Sequence, residues 1–244
     1  MALGTPTVPT NGSGTSTTPT DPQSTGSITL QASVPGLILV NASRNPATTT
    51  TVTTTGLTVG TITSIGTVTY GTIASAARRL SAWWYPGSSS PGTGTFNFDF
   101  GAALNGLAYT IVEWPGMDTV APIVNALTAR ADSSAAPLVT LSDGTWDATV
   151  GIFANGDSTL ALTMGSGFGA LAANQTVASS NSFRMRSEYV ASKDLTVDMS
   201  QSAAHWGGIA FGVLAATESG GFTINGSRTS VGGRWRRPAA LMGG

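Results

Sequence analysis

The chain has 244 residues, of which 41% are hydrophobic and 9% are charged, and its formal net charge is −1. This is enough apolar material for a real core, so an intrinsically disordered chain is excluded. Cysteine is absent, which excludes a disulfide framework, a thiolate nucleophile and a zinc–thiolate site. The weakly acidic balance leaves no electrostatic footprint for phosphates outside the C-terminal tail, so nucleic-acid binding is not expected.

The first 26 residues form a Thr/Pro/Gly-rich stretch with too few hydrophobic groups to fold alone. We therefore predict an N-terminal arm over residues 1–26. Its opening segment, MALGTPTVPTNGSGT, lacks the basic and apolar regions of an export signal. No uninterrupted apolar run reaches the length of about 18 residues that a membrane span needs, so no membrane partner is expected.

From Ser27 onwards, short runs of β-branched and apolar residues alternate with Gly, Pro and Asn. About a dozen such runs, each roughly 6–10 residues long and separated by turn signals, are typical of antiparallel sandwiches and barrels. The predicted fold is therefore all-β. We expect an antiparallel β-sandwich, jelly-roll-like, over residues 27–216, with extended N- and C-terminal arms.

Three segments predict particular elements. TFNFDF puts Phe96, Phe98 and Phe100 on one face and polar side chains on the other, which indicates a half-buried strand. TTTTVTTT is stiff and favours extended structure but offers little to bury, which indicates an outer strand. TVAPIVNALTARA, residues 119–131, has a weak helical pattern and predicts one or two helical turns.

Glu113 stands at the end of an apolar run, LAYTIVEWPG, residues 107–116. Alternation puts it in one row with large apolar side chains of the same strand. It is either a catalytic acid in a hydrophobic pocket or a residue at the point where the strand leaves the core. We favour the second interpretation, with solvent or an arginine of a neighbouring strand, Arg78 or Arg79, as its partner.

Groupings that could support catalysis are sparse. A Ser-His-Asp site would need the single histidine, His205, but no Gly-x-Ser-x-Gly elbow occurs. The single lysine, Lys193, argues against a P-loop or a Schiff base. Asp143, Asp147 and Asp157 lie in turn-forming sequences that lack the spacing of a calcium loop. We therefore predict no catalytic residue, no metal site, no cofactor and no enzymatic activity.

The aromatic strand SAWWYPG is the best candidate for sugar contact, because exposed aromatic rings stack on carbohydrate. Alternation puts Trp83 and Tyr85 on one face and Trp84 on the other, so about half of these rings belong to the core. Together with Trp206 of a late strand, Trp83 and Tyr85 are the candidate contacts for a glycan, provided that they are exposed.

The C-terminal tail, residues 217–244, is Gly-rich and basic. In it Arg234, Arg236 and Arg237 surround Trp235, and Trp with Arg is the combination that dominates interface hot spots. Two interpretations stay open. The tail is either a disordered soluble extension or a docking peptide that reaches an acidic groove on a second copy or on another protein.

Four stretches follow one another along the chain: RRLSAWWYPG, TFNFDF, LAYTIVEWPGMD and SAAHWGGIAFGVL. Their texture and order resemble a β-sandwich module of minor tail and other virion-surface proteins of tailed phages of actinobacteria, over residues 27–216. The resemblance implies a structural or adhesive role. It also implies that Trp84, Ile111, His205 and Trp206 lie in or beside the fold rather than at a catalytic site.

The expected function is therefore that of a non-enzymatic structural protein of a tailed-phage virion, of minor tail, fibre or spike type. It would be assembled in the host cytoplasm and attached through its terminal arms. Alternatives are a capsid decoration or head-fibre protein and a carbohydrate-binding adhesion module; a glycosidase or esterase is the weakest. Expected partners are other virion proteins, a host-surface glycan and further copies of the chain. The open edge of the Thr-rich strand favours a homo-oligomer, for which a trimer is one option.

Overall fold

The structure is a computed structural model that describes residues 1–17, 20–43, 50–71, 77–179 and 181–217. The regular elements of these residues are β-strands, eighteen in number. The strands pair antiparallel throughout. The predicted all-β, antiparallel sandwich class is thereby confirmed.

Residues 1–117 form two sheets. Their strands are β1 (Ser13–Ser16), β2 (Gln23–Ser24), β3 (Ile28–Thr29), β4 (Gly36–Ser43), β5 (Thr51–Leu57), β6 (Thr63–Tyr70), β7 (Arg78–Tyr85), β8 (Gly92–Asp99) and β9 (Gly106–Glu113). The first sheet has the order β1-β9-β4-β7-β6 and is called inner sheet 1. In outer sheet 1, β8 pairs with β2 and β3 along one side and with β5 along the other.

Residues 118–217 form two further sheets. Their strands are β10 (Ile123–Ser134), β11 (Leu138–Thr140), β12 (Ala148–Asn155), β13 (Thr163–Met164), β14 (Gly169–Ala170), β15 (Gln175–Val177), β16 (Phe183–Val190), β17 (Thr196–Ser200) and β18 (Ala204–Val213). Inner sheet 2 has the order β10-β18-β12-β16, with β14 and β15 both on the far side of β16. Outer sheet 2 has the order β11-β17-β13.

The two halves repeat one strand order. If β2 with β3, and β14 with β15, are each counted as one position, both halves have eight positions. Both inner sheets then have the order 1-8-3-6-5, and both outer sheets have the order 2-7-4. A jelly roll has eight strands in two sheets, with the order 1-8-3-6 facing 2-7-4-5. Both halves have this order, except that position 5 joins the inner sheet. The sequence predicted one sandwich over residues 27–216, whereas the chain contains two in tandem.

The four sheets stack as layers around three cores. The central core lies between the inner sheets and joins the halves through residues such as Leu39 and Leu80 from one and Ile152 and Phe211 from the other. Each half also has its own core between its inner and outer sheets. Because both inner sheets are covered on both faces, β4, β9 and β12 are buried at every position, and their sequences read as continuous apolar runs instead of alternating ones.

The N-terminal segment belongs to this architecture. Thr7 bridges to Glu113, and β1 pairs with β9 as the edge strand of inner sheet 1. Gln175, from the second half, donates to the carbonyls of Gly14 at 3.1 Å and Tyr109 at 2.5 Å. The described part of the predicted arm, residues 1–17 and 20–26, is therefore strand and connection within the first jelly roll. A domain boundary at residue 26 does not hold.

The two described chain ends meet at one pole of the molecule. The Met1 ammonium donates to the carbonyl of Ala216 at 2.9 Å. The indole nitrogen of Trp114, in the connection between the halves, donates to the carbonyl of Gly4 at 2.8 Å. Ala216, near the end of the described residues, therefore lies beside the N-terminus.

The element predictions have mixed outcomes. TFNFDF is half-buried as predicted, with its three phenylalanines in the first core. The Thr-rich segment is an outer strand as predicted, since β5 pairs with β8 alone among the described strands. The helix predicted over residues 119–131 is wrong: the segment is mostly β10. A bulge between Val124 and Leu127, with Asn125 at a φ of 54°, breaks the period of two and imitates helical spacing.

Candidate functional site

The three aromatic residues predicted to contact a glycan are buried. Trp83 and Tyr85 lie in the core of the first jelly roll, and Trp206 lies in the core of the second, 6.1 Å from the ring of Phe153. Their relative exposures are 7%, 0% and 4%. The alternation of Trp83 and Trp84 is as predicted, but each face of inner sheet 1 is covered by another sheet. None of the three residues offers a ring face to a sugar, so this prediction is corrected.

The predicted docking residues Arg234, Trp235, Arg236 and Arg237 lie outside the described residues, as does the tail after Thr217. Their docking role stays a prediction.

Three charged side chains of the described residues are buried: Arg78, Glu113 and Glu188. Burial of a charge is costly unless it is compensated, so such groups mark positions where the fold or a function requires them. Arg78 and Glu113 were named from the sequence, whereas the burial of Glu188 was not predicted.

Arg78 lies at the start of β7 and joins the two jelly rolls. Its guanidinium donates to the carbonyl of Ser182 from Nε (3.0 Å) and Nη2 (2.7 Å), and Nη2 also donates to the carbonyl of Gly156 (3.1 Å). Burial lowers the pKa of Arg78, while the nearby Tyr70 hydroxyl and Asp157 raise it. These contacts cross from the first half to the second, so Arg78 positions the halves against one another.

Glu113 pairs with neither Arg78 nor Arg79. In the register of inner sheet 1, Glu113 is opposite Gly36 at one end of β4, while Arg78 is opposite Ser43 at the other end. The carboxylate instead accepts from the backbone nitrogen of Gln31 at 2.5 Å and from its side-chain amide at 3.4 Å. The predicted basic partner is therefore wrong, because the register places Glu113 and Arg78 at opposite ends of β4.

Glu113 forms part of the wall of a surface cleft of about 530 Å³. The cleft lies between the N-terminal segment and the connection that leads into β4. Its other lining residues are Thr7, Val8, Pro9, Thr10, Ser27, Thr29 and Gln31. Glu113 is the single acidic residue in this lining. The exposed hydroxyls of the cleft and the Gln31 amide suit a polyhydroxylated ligand, but the lining lacks the second carboxylate that glycoside hydrolysis requires.

Glu188 is wholly buried on β16, on the face that points toward outer sheet 2. Its Oε2 accepts from the backbone nitrogen of Gly165 at 3.1 Å, and no described group donates to its Oε1. Burial raises the pKa of Glu188 to about 8; the Gly165 hydrogen bond and Arg186 oppose this, and Asp198 and Asp194 add to it. The side chain therefore carries a proton at neutral pH. The alternation of FRMRSEYV puts it on the same face as Arg184 and Arg186, so nothing in the sequence indicated its burial.

Replacing Glu188 by glutamine should remove a pH dependence of stability. Below the ordinary pKa of 4.5, the carboxyl is protonated in both states. Between 4.5 and about 8 the unfolded chain loses this proton while the folded chain keeps it, so wild-type stability falls across this window. We expect Glu188→Gln to raise the free energy of unfolding by about 3 kcal/mol at pH 8.5 and to leave it nearly unchanged at pH 4.

Urea denaturation of both proteins at a series of pH values measures this difference. Asp132→Asn, at an exposed carboxylate, is the control and should show no comparable gain. Equal pH slopes for wild type and Glu188→Gln would contradict a buried, protonated Glu188.

The remaining candidate groups are at the surface. His205 Nδ1 is 3.9 Å from Asp132 Oδ1, and Lys193 pairs with Asp143 and lies 5.1 Å from the centre of the Trp146 ring. Asp157 accepts from the backbone and the hydroxyl of Thr159 in a turn. Within the described ranges, no three His, Cys, Asp or Glu side chains come together as metal ligands, and no helix is long and apolar enough to cross a membrane.

Comparison with known proteins finds no relative of this chain. The chain matches no protein-family model, and no curated protein or solved structure is significantly similar to it.

Proposed function

We propose that the chain is a non-enzymatic structural protein of a tailed-phage virion, of the tail, fibre, spike or head-decoration kind. The observation that carries the proposal is the tandem jelly roll, in which two copies of one strand order pack face to face. Jelly rolls recur in viral capsid proteins and in lectins. A fold supports many functions, so the sites must agree with the proposal.

The buried charges support an architectural role. Arg78 donates hydrogen bonds to backbone carbonyls of the second jelly roll, and the Glu113 carboxylate accepts from the backbone nitrogen of Gln31. The low content of charged residues, 9% of the chain, also suits a protein whose surface is largely covered by neighbours in an assembly.

The position of the chain ends supports attachment through the C-terminal tail. The Met1 ammonium donates to the carbonyl of Ala216, and β1 pairs with β9, so the N-terminal segment is already bound within the same molecule. The tail follows Thr217 in the sequence and carries Arg234, Trp235, Arg236 and Arg237. We assign the docking role to this tail, with an acidic groove on another virion protein or on a second copy as the receptor.

Purified particles test the proposal directly. Denaturing gel electrophoresis and mass spectrometry of gradient-purified virions should find the chain in stoichiometric amounts. A chain that occurs only in host cytosol or medium, and never in particles, would refute the virion role.

Loss of the tail should separate folding from attachment. A chain cut after Val231 is expected to keep the unfolding midpoint of the full chain but to be depleted from particles. Trp235→Ala should weaken the association by about 30-fold, the cost of a hot-spot tryptophan, and the wild-type association should weaken as salt rises. Arg228→Ala, outside the Arg-Trp cluster, is the matched control. Wild-type occupancy of the truncated chain would exclude a docking role for the tail.

The cleft beside Glu113 favours a second candidate function, a carbohydrate-binding adhesion module. Since the buried aromatic residues are excluded, a host-surface glycan would have to bind at this hydroxyl-lined cleft, through hydrogen bonds to exposed groups such as Thr10, Thr29 and Gln31.

Filling this cleft tests the glycan function. Ser27 is exposed and lines the cleft, so Ser27→Trp should abolish retention of the protein on immobilised cell-envelope polysaccharide. Ser200→Trp, at an exposed position of outer sheet 2, should not. Equal retention of the two variants, or no retention of the wild type, would refute the glycan-binding function of this cleft.

A further inference from the structure

Strand β5, Thr51–Leu57, is an edge with one occupied side. It pairs along its length with β8, and no described strand lies on its other side. The unpaired backbone groups of such an edge readily pair with another strand. Two features indicate which strand pairs with this edge: the other long edges are protected against pairing, and the sequence of β5 is complementary to itself.

The other long edges of the described fold are protected. β10 carries the bulge at Asn125 and the charged residues Arg130 and Asp132. β6 lies against β10, and Arg130 donates to the backbone carbonyl of Thr69 on β6 at 2.8 Å. Charges, bulges and covering groups are the usual means of blocking edge pairing. β5 has no charge and no proline, and its one bulge lies near its end, at Gly56.

The sequence of β5 is self-complementary. Residues 50–54, Thr-Thr-Val-Thr-Thr, read the same in both directions around Val52. If two copies pair antiparallel with Val52 opposite Val52, Thr51 is opposite Thr53 and Thr50 is opposite Thr54. Thr–Thr pairs across antiparallel strands are favourable, since their hydroxyls can hydrogen-bond and their methyl groups pack.

The two faces of β5 agree with this register. Thr51, Thr53 and Thr55 are exposed on the outer face, whereas Val52 points inward and packs against the core of the first jelly roll. Directly opposite residues always share a face of the sheet. Pairing of Val52 with Val52 therefore extends the apolar layer from one copy to the next, while the outer face stays hydroxylated.

We propose that two copies of the chain associate through β5, antiparallel and about a two-fold axis at Val52, so that two outer sheets 1 become one continuous sheet. An isologous contact of this kind closes with two copies. The proposal does not depend on the virion role. It specifies a dimer, in place of the trimer that was one option for the predicted homo-oligomer.

Charge exchange tests the register. Native mass spectrometry and light scattering at about 20–100 μM, the range in which moderate self-association is measured, should give twice the chain mass of 24.6 kDa for the wild type. Thr51→Lys with Thr53→Lys should give monomers, because the two ammonium groups then face one another across the interface. Thr51→Lys with Thr53→Glu should restore the dimer, because each ammonium faces a carboxylate of the other copy.

The control carries the same added charge elsewhere. Thr196→Lys with Ser200→Lys, both exposed on β17, should remain dimeric. A second measurement does not rely on repulsion. The chain has no cysteine, so Val52→Cys supplies a single thiol that a short bismaleimide should link to its counterpart, whereas Thr196→Cys should give no linked product.

A monomeric or trimeric wild type would overturn the proposal, as would a double-lysine variant that stays dimeric. Failure of the Lys/Glu variant to dimerise, together with no cross-link at position 52, would overturn the register.

Discussion

Replacing Arg78 by methionine should lower the free energy of unfolding by about 3 kcal/mol, because buried carbonyls lose their charged donor. The methionine side chain keeps most of the aliphatic volume. It leaves the carbonyls of Ser182 and Gly156 without the three hydrogen bonds that now tie the second jelly roll to the first. The loss should appear as a lower midpoint in urea denaturation.

The neighbouring Arg79 provides the control. It is only half-buried, and burial is the single cause that lowers its pKa. Arg79→Met should therefore cost about 1 kcal/mol or less. Equal losses for the two variants would mean that Arg78 does not join the halves.

Replacing Gly36 by alanine should cost about 3 kcal/mol or more, since the added carbon overpacks a rigid site. A Cβ at position 36 would lie 2.1 Å from the carbonyl oxygen of Val112 and 2.4 Å from the hydroxyl oxygen of Tyr85. Because β4 pairs with β7 on one side and β9 on the other, it cannot move away from either neighbour.

Gly66→Ala is the matched substitution for this test. Gly66 lies on the edge strand β6, and a Cβ there would meet only the methyl groups of Ile209 and Thr128, both at 3.6 Å. The free energy of unfolding should therefore change by no more than about 0.5 kcal/mol. Thermal unfolding of both variants measures the contrast. A Gly36→Ala protein that is as stable as Gly66→Ala would show that inner sheet 1 is not rigid at this position.

The single elements were predictable from the sequence where one face of a strand is wet. TFNFDF alternates because its polar face is at the surface of outer sheet 1, and the Thr-rich strand was placed at an edge because it has little to bury. The stacking of the two jelly rolls was not predictable. Trp83 and Trp84 lie on opposite faces of β7, and the stacking covers both faces. The pattern of a single strand does not show how many sheets cover it.

The sites followed the same division. The sequence indicated that Glu113 ends a buried row, which it does, at a relative exposure of 2%. Its partner depends on the strand register, which places Arg78 at the far end of β4, and on the connection before β4, which brings Gln31 to the carboxylate. Glu188 was missed because an acid in an alternating strand reads as a solvent-facing residue. Only the covering by outer sheet 2 makes it buried.

The strand that precedes the tail decides how the molecule would bear a load. β18 runs through the middle of inner sheet 2, hydrogen-bonded to β10 on one side and to β12 on the other. Tension applied to the tail along this strand is resisted by both ladders at once, in shear, instead of opening hydrogen bonds one after another as peeling an edge strand does. An anchor at the C-terminus would therefore transmit force into a strand that is hydrogen-bonded on both sides within inner sheet 2.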